Sequence, residues 1–238
     1  MIEFKGWVRT SLIDYPGKIA SVLFAGGCNF RCPMCHNGEL VERSASLPSL
    51  DVAKVLAHLE RRAGKLTGVV VSGGEPTLQP ELPSFLARVR EMGYAVKLDT
   101  NGYRPDVLRG LLTVRLLDAV ALDVKAPPTK YPLLAGVPDL DPGAIGQSLA
   151  LIGAAQLPCE FRTTVVPGLL DADDIEAIAR WIVDAGRGAA SSYVLQQFRG
   201  TTTLSPALNG AIPYPVAELE GMAARARRWV DDVRLRGV

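Results

Sequence analysis

Six apolar, largely β-branched runs punctuate this chain, at residues 19–24, 68–71, 95–98, 119–124, 160–166 and 193–196. Between several of them the apolar residues switch to helical spacing. Val52, Val55, Leu56 and Leu59 form one stripe, with Ser49 as the expected N-cap, and Leu82, Phe85, Leu86 and Val89 form a second. Ile175, Ile178 and Ile182 form a third, led by Asp171, Asp173 and Asp174, whose charges suit a helix N-terminus. Strands that alternate with helices imply a parallel sheet with right-handed crossovers. Six such units are fewer than the eight of a closed barrel. The expected fold is therefore α/β, a partial, open (β/α)6 TIM-like barrel. A length of 238 residues fits one domain, 1–238, in which 1–18 form an N-terminal cap or hairpin and 215–238 a C-terminal helix.

Polar residues collect where the apolar runs end. The first run leads into Gly26-Gly27-Cys28-Asn29-Phe30-Arg31-Cys32-Pro33-Met34-Cys35-His36-Asn37, the second into Ser72-Gly73-Gly74-Glu75-Pro76, and the third into Asp99-Thr100-Asn101-Gly102. The fourth ends in Asp123-Val124-Lys125, the fifth carries Arg162-Thr163-Thr164, and the sixth is followed by Gln197-Phe198-Arg199. In a parallel barrel the strand ends share the face where active sites sit. The C-x3-C-x2-C loop supplies three thiolates. A four-iron cluster held by three cysteines keeps one iron without a protein ligand, as a catalytic zinc site keeps an open position. A structural zinc site with His36 as the fourth ligand is the competing reading. Cys159 stands alone, so the cysteines are no disulfide framework.

A formal net charge of +1 gives no global attraction to nucleic acid or to an anionic membrane. No apolar run reaches membrane-spanning length, and the first residues lack a signal-peptide pattern. A reducing cytoplasmic setting fits. Five arginines, Arg225, Arg227, Arg228, Arg234 and Arg236, make the C-terminus locally basic, either as a solvated helix face or as a docking surface.

The cysteine loop, with Gly-Gly-Glu-Pro after the next strand, resembles the radical S-adenosylmethionine (SAM) superfamily. The segments Asp14-Tyr15-Pro16-Gly17, Cys35-His36-Asn37, Asp99-Thr100-Asn101-Gly102, Leu122-Asp123-Val124-Lys125 and Val165-Val166-Pro167-Gly168 are similar to those of glycyl-radical-enzyme activases. The lead-in over residues 10–18 is most similar to the activating proteins of anaerobic ribonucleoside-triphosphate reductase. The resemblance implies a barrel of the radical SAM type, a [4Fe-4S] cluster on Cys28, Cys32 and Cys35, and SAM on the remaining iron. It implies reduction by flavodoxin or ferredoxin, release of a 5′-deoxyadenosyl radical, and removal of a Cα hydrogen from a glycine of a partner enzyme. Gly73 and Gly74 would admit the methionine end of SAM, and Glu75 would accept from its ammonium. Asp99, Thr100 and Asp123 would hold a monovalent cation beside the SAM carboxylate, with Lys125 balancing charge on the substrate side. Met34 stands where such enzymes often place an aromatic against the adenine. Arg162 and Thr164 would reach the nucleoside or carboxylate, Phe198 would lie against the adenine, and His36 would act behind the ligands. The alternatives are a radical SAM enzyme acting on a small molecule, similar to 7-carboxy-7-deazaguanine synthase, and a structural metal-binding protein.

Overall fold

The computed structural model describes residues 2–186 and 192–238. They fall into two compact units, Met1–Asn29 with Asn37–Thr100 and Asp106–Val120, and Phe30–His36 with Asn101–Pro105 and Ala121–Val238. The first unit begins with β1 (Phe4–Ser11), which pairs antiparallel with β2 (Ala20–Ala25). The short helix α1 (Gly38–Glu42), α2 (Val52–Arg61), β3 (Gly68–Gly73), α3 (Leu82–Glu91), β4 (Ala95–Thr100) and α4 (Pro105–Thr113) follow. β2 and β3 run parallel from Ala20 opposite Gly68 to Ala25 opposite Gly73, and β3 and β4 from Gly68 opposite Ala95 to Val71 opposite Leu98. Val22, Leu23, Val69, Val70, Val71, Val96 and Leu98 are all buried. Successive residues of a strand face opposite ways, so both faces of these strands are covered, which is why they read as continuous apolar runs.

The helix α2 is capped by Asp51, whose Oδ1 accepts from the Ala53 and Lys54 amides at 2.9 and 3.4 Å. Ser49 is not the cap. Its hydroxyl accepts from Lys5 Nζ at 2.9 Å, because the helix starts at Val52 and leaves residue 51 in the capping position. Val55 and Leu59 carry the buried side of the stripe.

β5 (Ala119–Asp123) begins in the first unit and ends in the second. The second unit continues with α5 (Tyr131–Ala135), α6 (Gly143–Ala155), β6 (Cys159–Val165), α7 (Ala172–Gly186), β7 (Ser192–Gln197), α8 (Val216–Ala226) and β8 (Val233–Arg236). Strand order follows chain order in each unit, β1 to β4 and β5 to β8. β6, β7 and β8 are parallel, with Glu160 opposite Ser192 and Tyr193 opposite Val233. Asp171 caps α7: its Oδ1 accepts from the Asp173 and Asp174 amides at 2.9 and 3.0 Å. Asp174 instead turns its carboxylate to Lys130 Nζ at 2.6 Å.

The six apolar runs form β2 to β7. The C-terminal helix expected over 215–238 stops at Ala226, and β8 follows it. Val233 is buried while Arg234 and Arg236 face out, the alternation of a half-covered strand. Arg236 donates to both carboxylate oxygens of Glu160 at 2.8 and 2.6 Å. The other four arginines of this region are also engaged. Arg225 meets Glu176 and Asp173, Arg228 meets Glu176, Arg234 meets Asp232, and Arg227 donates to the Val233 carbonyl. Their charge is therefore largely neutralised by neighbours. Cys159 opens β6 half-buried. Among the described residues no helix is long and apolar enough to cross a membrane.

Candidate active site

In the first unit the end of β2 and the Gly-Gly-Glu turn after β3 are one hydrogen-bonded structure. The Gly74 amide donates to Ala25 O at 2.9 Å and the Glu75 amide to Gly27 O at 2.8 Å. Gln79 Nε2 donates to Gly26 O at 2.9 Å, and Asn37 Nδ2 to Gly73 O at 3.3 Å. These contacts decide the glycines. Gly73 has φ +118°, and a Cβ there would overlap the backbone of Ala25; a Cβ on Gly74 would overlap the Gly27 carbonyl. The Gly-Gly pair thus seats the start of the cysteine loop. A Gly74→Ala substitution should cost about 1–3 kcal/mol through overpacking. It should also push Gly27, the neighbour of Cys28, out of place. Iron retained after anaerobic reconstitution, measured beside far-UV circular dichroism, should fall several-fold with the secondary structure intact.

Glu75 is fully buried, and its Oε1 accepts from the Thr77 amide at 3.0 Å, the Thr77 hydroxyl at 2.5 Å and the Thr100 hydroxyl at 2.7 Å. A carboxylate removed from water needs such donors, so this oxygen is held within the fold. Thr100, itself buried, ties β4 to the turn.

In the second unit the rest of the loop, Phe30–His36, is held from several sides. Phe30 is buried against Tyr103 and Tyr131, with ring centroids 5.4 and 6.4 Å away. The Arg31 amide donates to Ala135 O at 2.7 Å, where α5 ends on Gly136 at φ +64°; a Cβ on Gly136 would overlap the Arg31 carbonyl. The Leu204 and Ser205 amides donate to Cys35 O and Pro33 O, each at 2.9 Å. Sequence reasoning passed over Gly136, Leu204 and Ser205, which act through backbone atoms and carry no chemical signature. Cys32 and Met34 are buried, and Cys35 is half-buried. His36 Nε2 lies 2.8 Å from Arg199 O, and a carbonyl only accepts, so Nε2 carries the proton. The His36 ring stacks on fully buried Phe198, with 6.4 Å between centroids.

Asp123 lies between two cations at the end of β5. Arg162 Nε is 2.8 Å from its Oδ1 and Lys125 Nζ 2.9 Å from its Oδ2. Burial alone would raise the Asp123 carboxyl, but Arg162 and then Lys125 outweigh it and hold the group well below the usual carboxylate range. Burial likewise opposes the Lys125 charge. Asp123 outweighs it, with a smaller contribution from Cys32, and keeps the ammonium protonated above its usual range. Tyr131, fully buried, accepts from the Lys125 amide and donates to Asp123 O at 3.4 and 3.3 Å; burial holds its phenol protonated. Thr164 shares the half-covered face of β6 with Arg162, and Thr163 on the other face donates to Val124 O.

The sign of the pH dependence follows. A depressed carboxyl stabilises the fold above its unfolded value near about 4 and loses that contribution as pH falls further. A raised lysine stabilises below about 10.5 and loses its contribution above that. The Arg162–Asp123–Lys125 contribution to stability should therefore be level from about pH 5 to 9. Urea midpoints of wild type and an Arg162→Met variant, followed across pH, should run parallel over that window and converge only in acid.

Asp99 in the first unit has its own cation: Lys97 Nζ is 2.5 Å from its Oδ1. Asp99 and Asp123 thus each meet an ammonium group within their own unit. The cysteines do fit a cluster. None is in a disulfide, and the loop that carries three of them is fixed by backbone bonds at both ends. Among the described residues, no three His, Cys, Asp or Glu side chains are drawn together as a single-ion site.

Comparison with known proteins agrees with this chemistry. Residues 22–182 match the Radical SAM superfamily. A Methanocaldococcus jannaschii protein provisionally named a glycyl-radical enzyme activating enzyme is 33% identical, over 98% of this chain and 95% of its own. The pyruvate formate-lyase-activating enzyme of Streptococcus mutans is 31% identical, over 68% of this chain and 64% of its own. Among solved structures, Streptococcus suis SuiB bound to its precursor peptide SuiA superposes with a TM-score of 0.69 at 12% identity, over 91% of this chain and 48% of that one. That likeness is one of fold, and it carries the partial-barrel α/β architecture.

Proposed function

This chain belongs to the radical SAM superfamily, among the glycyl-radical enzyme activating enzymes that use a [4Fe-4S] cluster and SAM, and on that premise we propose that its partner is an anaerobic ribonucleoside-triphosphate reductase. The observation that supports this partner is the lead-in over residues 10–18. Ser11 and Asp14 close a small turn there, with the Ser11 hydroxyl donating to Asp14 Oδ2 at 2.5 Å. The turn presents Leu12 and Ile13 to solvent at 72% and 86% exposure while Tyr15 is buried behind it. An activase must accept a glycine-bearing segment of a much larger enzyme, and an outward apolar pair on a fixed turn suits such an encounter.

When bound, the cluster and SAM supply a 5′-deoxyadenosyl radical able to remove a glycine Cα hydrogen. The protein's share is to hold and shield. Cys28, Cys32 and Cys35 would hold the cluster as thiolates and leave one iron open to SAM. Gly73 and Gly74 fix the position of the first ligand. Arg162 and Lys125 keep Asp123 ionised, so the charge beside the substrate stays constant across neutral pH. Buried Met34 and Phe198 would pack beneath the adenine side, and His36 would order the chain behind the last ligand. A flavodoxin or ferredoxin is the proposed reductant.

Anaerobic electron paramagnetic resonance tests this reading. Reconstituted, reduced protein mixed with SAM and the anaerobic ribonucleotide reductase of the same cell should give a glycyl-radical doublet that is absent without SAM. Formation of 5′-deoxyadenosine with no doublet would reject this partner.

A further inference from the structure

Residues 200–211 close on themselves and onto the Cys32–Cys35 turn, all within the second unit. At the neck the Gly210 amide donates to Gly200 O at 2.7 Å, and a Cβ on Gly200 would lie 2.6 Å from Ala211 O. Inside, Asn209 Oδ1 accepts from the Thr203 amide at 2.9 Å. The Thr203 hydroxyl lies 2.7 Å from Ser205 O and 3.0 Å from Asn209 Oδ1, and its one proton serves either. Thr203 is buried and Asn209 is exposed. A short segment whose ends meet and whose own side chains hold it together is an Ω-loop.

Leu204 and Ser205 stand between Thr203 and the single 3-10 turn Pro206–Leu208, and theirs are the amides that reach Cys35 O and Pro33 O. The Cys35 amide in turn donates to Cys32 O at 3.0 Å. Cys32 and Cys35 therefore sit on one tight turn whose carbonyls at 33 and 35 are engaged by adjacent amides. Two bonds fix the orientation of the turn as well as its distance. Thr203 and Asn209 act one step back, on the backbone from which those amides project.

We infer that the Ω-loop over 200–211, locked by Thr203 and Asn209, is a clamp that preorganises Cys32 and Cys35 before any iron binds. Thr203 and Asn209 are positioning residues in this account. A ligand pair ordered in advance by the fold loses less freedom on binding and holds its geometry better. The relevance to a cluster rests on reading Cys32 and Cys35 as its ligands.

The test uses the full chain. In metal-free, reduced protein, iodoacetamide should alkylate Cys32 and Cys35 of an Asn209→Ala variant about threefold to tenfold faster than in wild type, the range expected when one hydrogen-bond acceptor is lost. Peptide mass spectrometry should find Cys28, seated by the Gly73-Gly74 turn, and Cys159, on β6, at their wild-type rates. Asn209→Asp keeps an acceptor oxygen and should restore slow alkylation. After anaerobic reconstitution, iron loss to a chelator should follow the same order, fastest in Asn209→Ala, with the far-UV circular dichroism unchanged. Equal acceleration at all four cysteines would mean general loosening and overturns the clamp. A folded Asn209→Ala protein with wild-type rates at Cys32 and Cys35 overturns it too. If that variant does not fold, Thr203→Val, which removes the hydroxyl at nearly constant shape, carries the same comparison. A wild-type chain that takes up no cluster removes the ligand reading, while the alkylation rates still decide the clamp.

Discussion

Cys32→Ala should leave a folded protein with no cluster and no SAM cleavage. Cys32 is the middle cysteine of the loop, a cluster ligand in the function proposed above, and is buried. The segment around it is held by contacts that do not involve its sulfur: Phe30 among Tyr103 and Tyr131, the Arg31 amide on Ala135, and the Leu204 and Ser205 amides on Cys35 and Pro33. Removing the thiol should therefore take away the proposed iron ligand without releasing the loop. The visible charge-transfer absorption should be missing after reconstitution, and 5′-deoxyadenosine should fall below detection, a loss of about a thousandfold or more, or over 4 kcal/mol in the barrier. Cys159→Ala, at the half-buried start of β6, should keep both signals. A Cys32→Ala protein that retained a cluster and cleaved SAM would contradict the ligand assignment.

The second large effect is expected at Asp123. Asp123→Ala leaves Arg162 and Lys125 facing a partner that is gone, two positive charges in a partly covered site. Breaking one member of a buried pair costs 3–5 kcal/mol, and side-chain exposures of 13–26% here reduce that to about 2–3 kcal/mol. The urea midpoint should drop with the slope unchanged. Arg162→Met should cost less, since Lys125 still balances the carboxylate. A double variant carrying both changes should recover part of the loss, because only one cation remains. If Asp123→Ala unfolds at the wild-type urea concentration, the arrangement contributes no stability.

Much of this was legible because the chemistry and the strand ends coincide. The six β-branched runs became β2 to β7, since strands covered on both faces need apolar residues at successive positions. What escaped the sequence was set by tertiary context. Lys97 was overlooked because a lysine between apolar residues looks like an edge or surface position until burial reveals Asp99 as its partner. Glu75, a carboxylate in a glycine-rich turn, suggests ligand binding, but its burial and the bonds of one of its oxygens to Thr77 and Thr100 emerge only in the fold. β8 reads as helix in the sequence because Val-Arg-Leu-Arg follows a helical stripe closely, and the Glu160 pair that anchors it lies 76 residues away. Gly136, Leu204 and Ser205 support the cysteine loop through backbone groups, which any residue type shares.

The central claim is that this protein removes a hydrogen atom from a glycine of a partner enzyme. The most direct measurement is mass spectrometry of the 5′-deoxyadenosine formed with an anaerobic ribonucleotide reductase prepared from doubly deuterated glycine. The account predicts a single deuterium in 5′-deoxyadenosine. Turnover of SAM to unlabelled 5′-deoxyadenosine in the presence of that partner would contradict it.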